Sequence, residues 1–300
     1  MIFPSNIRLT LYPLAAAIIF SCISPQASAQ LSTQTQVRQN PVMEVRDRTV
    51  GNHVDIWAYP LTVTECTFDL ECTAQNMRLD RSVPYTIEIR TPPQNLRKPI
   101  CVLNADIVDP NDRYRYDYKY SWRIGLRGGR HDDSYVYALP FAAGTAHKVM
   151  QGYGGKFSHQ VGSDGENAID FEMPDGTQVL AARDGIVVAI KDDSTEGGND
   201  KQRYEKCANY VTVKHVDGSY ADYVHLTAGS CTVRLGQVVR TGQVLGQSGH
   251  SGFASAPHLH FIVFIPVSGS HRRSYRTRFA TASGLVCDPP RGQILEAQPR

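Results

Sequence analysis

Two histidines, His258 and His260, stand one residue apart in APHLHF, directly after the small-residue stretch SGHSGFAS. On a strand, side chains at i and i+2 face the same way, about 6.5–7 Å apart. That separation is too great for the two rings to touch, but it lets one bind a metal while the other reaches a water on that metal. Two ordinary surface histidines are the competing reading unless other donors converge. Asp170, in AIDF, is a carboxylate between apolar neighbours at the end of what reads as a buried strand, and a lone buried carboxylate is costly unless it meets a charge. His159 lies upstream in a Gly-flanked loop, and His225 ends YADYVHL. Hydrolytic zinc sites use three protein ligands and keep one position open for water. A carboxylate and two neutral imidazoles leave net positive charge on the metal, which lowers the pKa of bound water toward neutrality.

These residues must be held by strands. GTQVLAARDGIVVAIKDD reads as two strands around Asp184-Gly185, and NYVTVKH with SYADYVHL as a hairpin closed at Asp217-Gly218. VRLGQVVRTGQVLGQSG suits short strands joined by glycine turns. TEGGNDKQRYEK reads as an exposed polar loop, and no long amphipathic helix is visible. Upstream, a polar leader runs to about residue 45, followed by short strands. In DRYRYDYKYSWRIG, Tyr114, Tyr116, Tyr118 and Tyr120 share one strand face, which reads as a packed sheet face ahead of a glycan platform. The expected organisation is mainly β: a signal peptide over 1–29, a small N-terminal β-sandwich-like domain over 30–140, a second β domain over 141–287, and a C-terminal tail over 288–300.

Composition narrows the function. Among 300 residues, Lys+Arg 31 against Asp+Glu 29 gives no electrostatic case for nucleic acid, and 41% apolar residues suit a folded chain. The opening MIFPSNIRLTLYPLAAAIIFSCISPQASAQ has one basic residue, an apolar run broken by Pro13, and Ala27-Ser28-Ala29, the layout of a signal peptide cleaved after Ala29. Phe20 and Ser21 make a poor lipobox before Cys22, and no later segment is apolar enough for a stable membrane span. Export places the protein in the periplasm or outside the cell. Six cysteines then remain, and an even number in an exported chain favours disulfides. Cys207 and Cys231 flank the open end of the hairpin and are expected to pair. Cys66–Cys72 would close a small loop, leaving Cys101–Cys287.

Five stretches, SHQVGSDGENAIDF, MPDGTQVLAARDGIVV, VTVKHVDGSYADYVHL, VRLGQVVRTGQVLGQSGHSG and PHLHF, follow one another across about residues 141–267. Together they resemble the lysostaphin-type (LytM-like) zinc metallopeptidases. The resemblance implies a β-barrel-like catalytic fold over 141–287 and zinc-dependent hydrolysis of peptide bonds in peptidoglycan stem peptides or cross-bridges. It implies one Zn2+ held by His159, Asp170 and His260, with His225 and His258 as the catalytic pair. No HExxH glutamate is present, so imidazole, with its near-neutral pKa, would do the acid–base work. Many relatives have a short HxxxD between the first ligands, a register that would put Glu166 at the histidine position. Here His159 stands eleven residues before Asp170, as in members with a longer loop.

The resemblance leaves two other functions to weigh: a non-catalytic wall-binding regulator of an amidase, expected where a ligand is lost, and the same chemistry on Gly-rich protein chains. Lipoyl- or biotin-carrier barrels share the glycine-punctuated strands but need a hairpin-tip lysine that is missing here. The expected partner is peptidoglycan or a peptide substrate. The N-terminal domain would either position the enzyme on the wall or cover the cleft as an inhibitor. His215 would sit beside the cleft as a supporting or structural residue and His250 along the substrate groove, with His53, His131, His147 and His271 at the surface.

Overall fold

The computed structural model describes residues 18–23, 43–61, 64–91 and 95–299. They fall into two compact units, one reaching to Ile124 and including Ser268–His271, the other Gly125–Val267 with Arg272–Arg300. The division lies ahead of position 140 because Tyr137, Leu139 and Phe141 are fully buried in the core of the second unit.

The first unit contains β1 (Ile18–Ile23), β2 (Met43–Val50), β3 (His53–Pro60) and β4 (Thr64–Gln75). It continues through β5 (Met77–Leu79), β6 (Tyr85–Thr91), β7 (Ile100–Ile107) and β8 (Arg115–Ile124). They form two four-stranded sheets, β1-β8-β4-β6 and β2-β3-β7-β5. Period-two alternation turns Val54, Ile56 and Ala58 of β3 and Cys66, Phe68 and Leu70 of β4 into one shared core, the sandwich logic of two inner faces. Tyr116, Tyr118 and Tyr120 are buried there, and the first two donate hydroxyl hydrogen bonds to Asp47 at 2.6 and 3.0 Å. The tyrosine row is a packed face. β1 lies inside the segment expected to be a cleaved signal and pairs antiparallel with β8.

The second unit begins with β9 (Val136–Ala138), β10 (Ala146–Gln151), β11 (Ile169–Glu172), β12 (Gln178–Leu180) and β13 (Gly185–Lys191). β14 (Gly197–Gly198) and a one-turn helix α1 (Lys201–Tyr204) follow, so the polar insertion carries structure of its own. Asp200 caps that helix by accepting from the Arg203 N–H. Next come β15 (Tyr210–Lys214), β16 (Tyr220–Val224), β17 (Val238–Val239), β18 (Val244–Gln247) and β19 (Gly252–Phe253). The chain ends with β20 (His258–Pro266), β21 (Arg272–Tyr275), β22 (Arg278–Thr281), β23 (Gly284–Val286) and β24 (Ile294–Glu296).

The main sheet has the order β17-β13-β15-β16-β20-β11-β10-β24, with β21 on β20. It is mainly antiparallel and does not close into a barrel among the described residues. β24 pairs with β10, so residues 288–300 contribute a strand where a plain tail was expected. Alternation along β11 and β20 decides which side the polar groups take. Ile169, Phe171, Leu259, Phe261 and Val263 enter the core, which turns Asp170, His258 and His260 to the other face. Register then sets Val224, His260, Asp170 and Gln151 side by side in one row across β16, β20, β11 and β10.

Candidate metal centre

His260 and Asp170 are direct cross-strand partners, and a His260 Nδ1 to Asp170 Oδ1 separation of 2.9 Å follows from that pairing. The loop between β10 and β11 brings His159 over them, its Nε2 lying 3.3 Å from both Asp170 Oδ1 and His260 Nδ1. His159 and Asp170 are buried and His260 is partly so. His258 Nε2 is 3.9 Å from Asp170 Oδ1, and the His225 ring lies 4.5 Å from the His258 ring, centroid to centroid. All five residues singled out from the sequence therefore meet on one face of the sheet.

Backbone carbonyls set the tautomers. A carbonyl oxygen only accepts, so the nitrogen facing it must carry the proton. His159 Nδ1 faces Gly152 O at 3.1 Å, His225 Nδ1 faces Ser251 O at 2.7 Å, and His258 Nδ1 faces Ala256 O at 2.8 Å. In the neutral form each ring then turns an unprotonated Nε2 away from its carbonyl, and for His159 and His258 that atom lies near the Asp170 carboxylate. The His159 Nε2 lone pair and the Asp170 Oδ1 lone pairs, 3.3 Å apart, repel unless a cation lies between them or the ring is protonated.

The donor spacing suits such a cation. Bonds of about 2.0–2.1 Å at tetrahedral angles put neighbouring ligand atoms about 3.3 Å apart, against 2.9–3.3 Å among the three groups here. His159, Asp170 and His260 could hold a metal ion, and two of them have an outer partner that fixes them, Gly152 O for His159 and the Gln151 amide for Asp170. Burial alone would raise the Asp170 carboxyl. The charge of neighbouring His159 and His258 when protonated, with the hydrogen bond from His260, reverses this and holds it well below the usual carboxylate range. Burial, then repulsion by His258 and His260, keeps His225 well below an ordinary imidazole. Burial also lowers His260, against the pull of Asp170.

His225 takes a left-handed backbone, φ 69°, immediately after β16. Non-glycine residues rarely do so, and the conformation costs of order 1–3 kcal/mol. Ser251 offsets it by accepting from the His225 ring and donating its hydroxyl to Leu226 O at 2.7 Å. Asn209 completes this support, donating to Ser194 O and Leu226 O. On the other flank, Arg272 ties the His159 loop to the sheet. Its Nε donates to Asp164 O at 3.2 Å, and its guanidinium pairs with buried Asp222 at 2.8 Å. Gln151 donates to Asp170 Oδ2 at 3.1 Å. The sequence reading missed Asn209, Gln151, Ser251 and Arg272, since single polar residues without a spacing pattern carry no signal. Only Ser251, inside SGHSG, had one.

Glu166, the residue that a short HxxxD register would put at the histidine position, instead accepts at Oε2 from Gly162 N–H at 2.9 Å and closes the loop. Several expectations for the other histidines change. His215 is not beside the cleft. It lies at the Lys214–Tyr220 end of the hairpin, whereas His225 follows the Tyr210–Val224 end, about 13 Å along the strands. It is buried, donates to Asp184 O at 2.9 Å, and burial drops its pKa to about 4. His131 is not a surface residue either, for its ring stacks on Tyr275 at 4.4 Å and its side chain is 1% exposed. His147 is half-buried against Phe141. His250 is exposed and paired with Asp175 at 3.0 Å.

The cysteines contradict the disulfide expectation: all six described thiols are free. Cys66 and Cys72 lie on one strand, β4, so their Cα atoms are about 20 Å apart, far beyond the roughly 7 Å limit of a disulfide. Cys207 Sγ faces Arg203 O, and burial pushes the Cys231 thiol up to about 12. Cys101 Sγ donates to Asn104 Oδ1, and Cys287 is exposed.

Residues 164–283 match Peptidase family M23, a stretch that takes in Asp170, His225, His258 and His260 and begins after His159. The chain carries a peptidase domain of family M23. Among its relatives is the Peptidoglycan DD-endopeptidase ShyA of Vibrio cholerae, 34% identical over 99 residues, 33% of this chain and 20% of that protein. Lysostaphin of Staphylococcus simulans is 30% identical over 141 residues, 46% of this chain and 24% of that protein. The matched stretches thus span about a quarter of these relatives' length. The solved structure of lysostaphin from the same organism superposes over 43% of this chain and 47% of its own, with 27% identity and a TM-score of 0.32. No helix among the described residues is long and apolar enough to cross a membrane.

Proposed function

We propose that this chain is an exported zinc metalloendopeptidase that hydrolyses peptide bonds in peptidoglycan stem peptides or cross-bridges. One observation carries the reading: a carboxylate oxygen and two imidazole nitrogens converge within 2.9–3.3 Å in a buried site, where His159 Nε2 has no proton to share. His159, Asp170 and His260 would hold the ion. Bound zinc would supply a water of near-neutral pKa and polarise the scissile carbonyl.

His225 and His258 do the proton work in this reading. Their Nδ1 protons are committed to Ser251 O and Ala256 O, which leaves each Nε2 free to take the proton of the attacking water. A ring so protonated then stabilises the substrate oxyanion and returns the proton to the leaving amine. His225 is held neutral by burial and its neighbours, so its Nε2 lone pair is unoccupied when the water approaches. The non-catalytic regulator is disfavoured because no donor is missing. Relatives named as peptidoglycan DD-endopeptidase and as lysostaphin support the wall substrate. Export rests on the first 29 residues, and N-terminal sequencing of the mature protein should begin at Gln30.

The test is digestion of purified peptidoglycan sacculi with and without a chelator, with products identified by mass spectrometry and Gly-rich elastin-like protein in parallel. Chelator-sensitive release of cross-link fragments is expected. Release of nothing from sacculi by fully metal-loaded protein, with cleavage of the Gly-rich protein, would move the substrate assignment to protein.

A further inference from the structure

The structure assigns Gln151 a positioning role: its amide holds Asp170 to one-oxygen ligation and so keeps a coordination position open for water. The inference rests on the reading that His159, Asp170 and His260 hold a metal.

The sheet is irregular beside Asp170. β10 and β11 pair as Val149↔Phe171 and then Gln151↔Asp170, so β10 contributes an extra residue, Met150. Regular pairing would set Met150 opposite Asp170. The bulge re-aims the strand and delivers a buried amide there instead.

Every hydrogen-bonding position of that amide is taken. Nε2 donates to Asp170 Oδ2 at 3.1 Å and to Ser158 Oγ at 2.8 Å. Oε1 accepts from the Phe157 and Ser158 N–H groups at 3.0 and 3.3 Å. Two donors and two lone pairs are the whole capacity of a primary amide. Because backbone N–H groups only donate, the oxygen must face them, and the nitrogen must face Asp170. Gly155 packs over the side chain so closely that a Cβ there would lie 2.4 Å from Gln151 Cγ. The amide is thus confined on one side by glycine and on the other by the carboxylate.

The consequence concerns the two oxygens of Asp170. Oδ1 faces His159, His258 and His260, whereas Oδ2 is turned to Gln151. An aspartate without that outer bond is free to rotate and offer both oxygens. The second would occupy the position a hydrolytic metal keeps for water. Outer-shell partners of this kind typically change metal affinity about 10–100-fold when removed.

The experiment uses the full chain, stripped of metal, and three variants. Gln151→Met keeps the length and removes both ends of the amide. Ser158→Ala loosens the loop and leaves the Asp170 bond intact. Gly155→Ala displaces the amide from the far side and serves if Gln151→Met does not fold. Zn2+ affinity is read by competition with a chromophoric chelator, and coordination by the visible spectrum of Co2+-loaded protein. Gln151→Met, or Gly155→Ala in its place, is expected to bind Zn2+ about 10–100-fold more weakly, with a weaker Co2+ band marking added coordination. Ser158→Ala should match the wild type in both.

Wild-type affinity and an unchanged Co2+ spectrum in a folded Gln151→Met protein would overturn the inference. So would an equal loss in Ser158→Ala, which would make Gln151 a loop tie only. A wild-type chain that binds neither ion would overturn the metal reading itself, a distinguishable failure.

Discussion

Arg272 is where stability and the site are most tightly joined. Its guanidinium and the Asp222 carboxylate are 4% and 6% exposed and 2.8 Å apart, and Asp222 also accepts from Thr212 at 2.7 Å. The same side chain holds Asp164, in the loop that carries His159. Arg272→Met would strand a buried carboxylate whose remaining partner is neutral, a change that costs about 3–5 kcal/mol. At about 2–4 °C per kcal/mol for a unit of this size, the melting temperature should fall by about 6–20 °C. Adding Asp222→Leu removes the stranded charge and should recover most of that loss, because a buried ion pair contributes little beyond its apolar replacement. Calorimetry of the wild type and the variants separates the outcomes. A single variant that melts with the wild type would refute the reasoning, as would a double variant no more stable than the single.

Three further outcomes follow from particular residues. His215 has a folded-state pKa of about 4, below the ordinary value of about 6.5, so the unfolded chain binds its proton first as pH falls. Its contribution, of order 3 kcal/mol, is complete above about pH 6.5 and is lost down to about pH 4; His215→Gln should flatten that part of the stability–pH curve, measured by urea unfolding. His258→Ala and His225→Ala should each lower kcat about 10²–10⁴-fold while metal binding persists, and a variant that loses its metal instead would be a ligand rather than a proton carrier. Cys66 and Cys72 should both take up an alkylating reagent after unfolding without reductant, with peptide mapping finding no bridge between them.

Pattern made some of this legible and left the rest hidden. HLH and AIDF announce themselves because strand alternation forces one polar side chain out for each apolar one sent in, and the register β16-β20-β11 follows from those faces. The hairpin at Asp217-Gly218 was readable for the same reason, with Gly218 at φ 81° in its turn. Gln151 was invisible because a bulge, not a period, sets it beside Asp170. The cysteine pairs failed because spacing in sequence says nothing of direction: Cys66 and Cys72 look like a loop in sequence but stand on one extended strand. His215 is a buried structural residue, but its place away from the cleft was hidden because hairpin ends are interchangeable in sequence, and only one of them faces the donors.

Elemental analysis of the purified, dialysed full chain, beside Asp170→Asn and His260→Ala proteins shown to be folded, tests most directly whether His159, Asp170 and His260 bind a metal together. One zinc per chain in the wild type and its loss in both variants is the predicted result. No metal in the wild type after exposure to zinc, or equal metal in all three proteins, would contradict it.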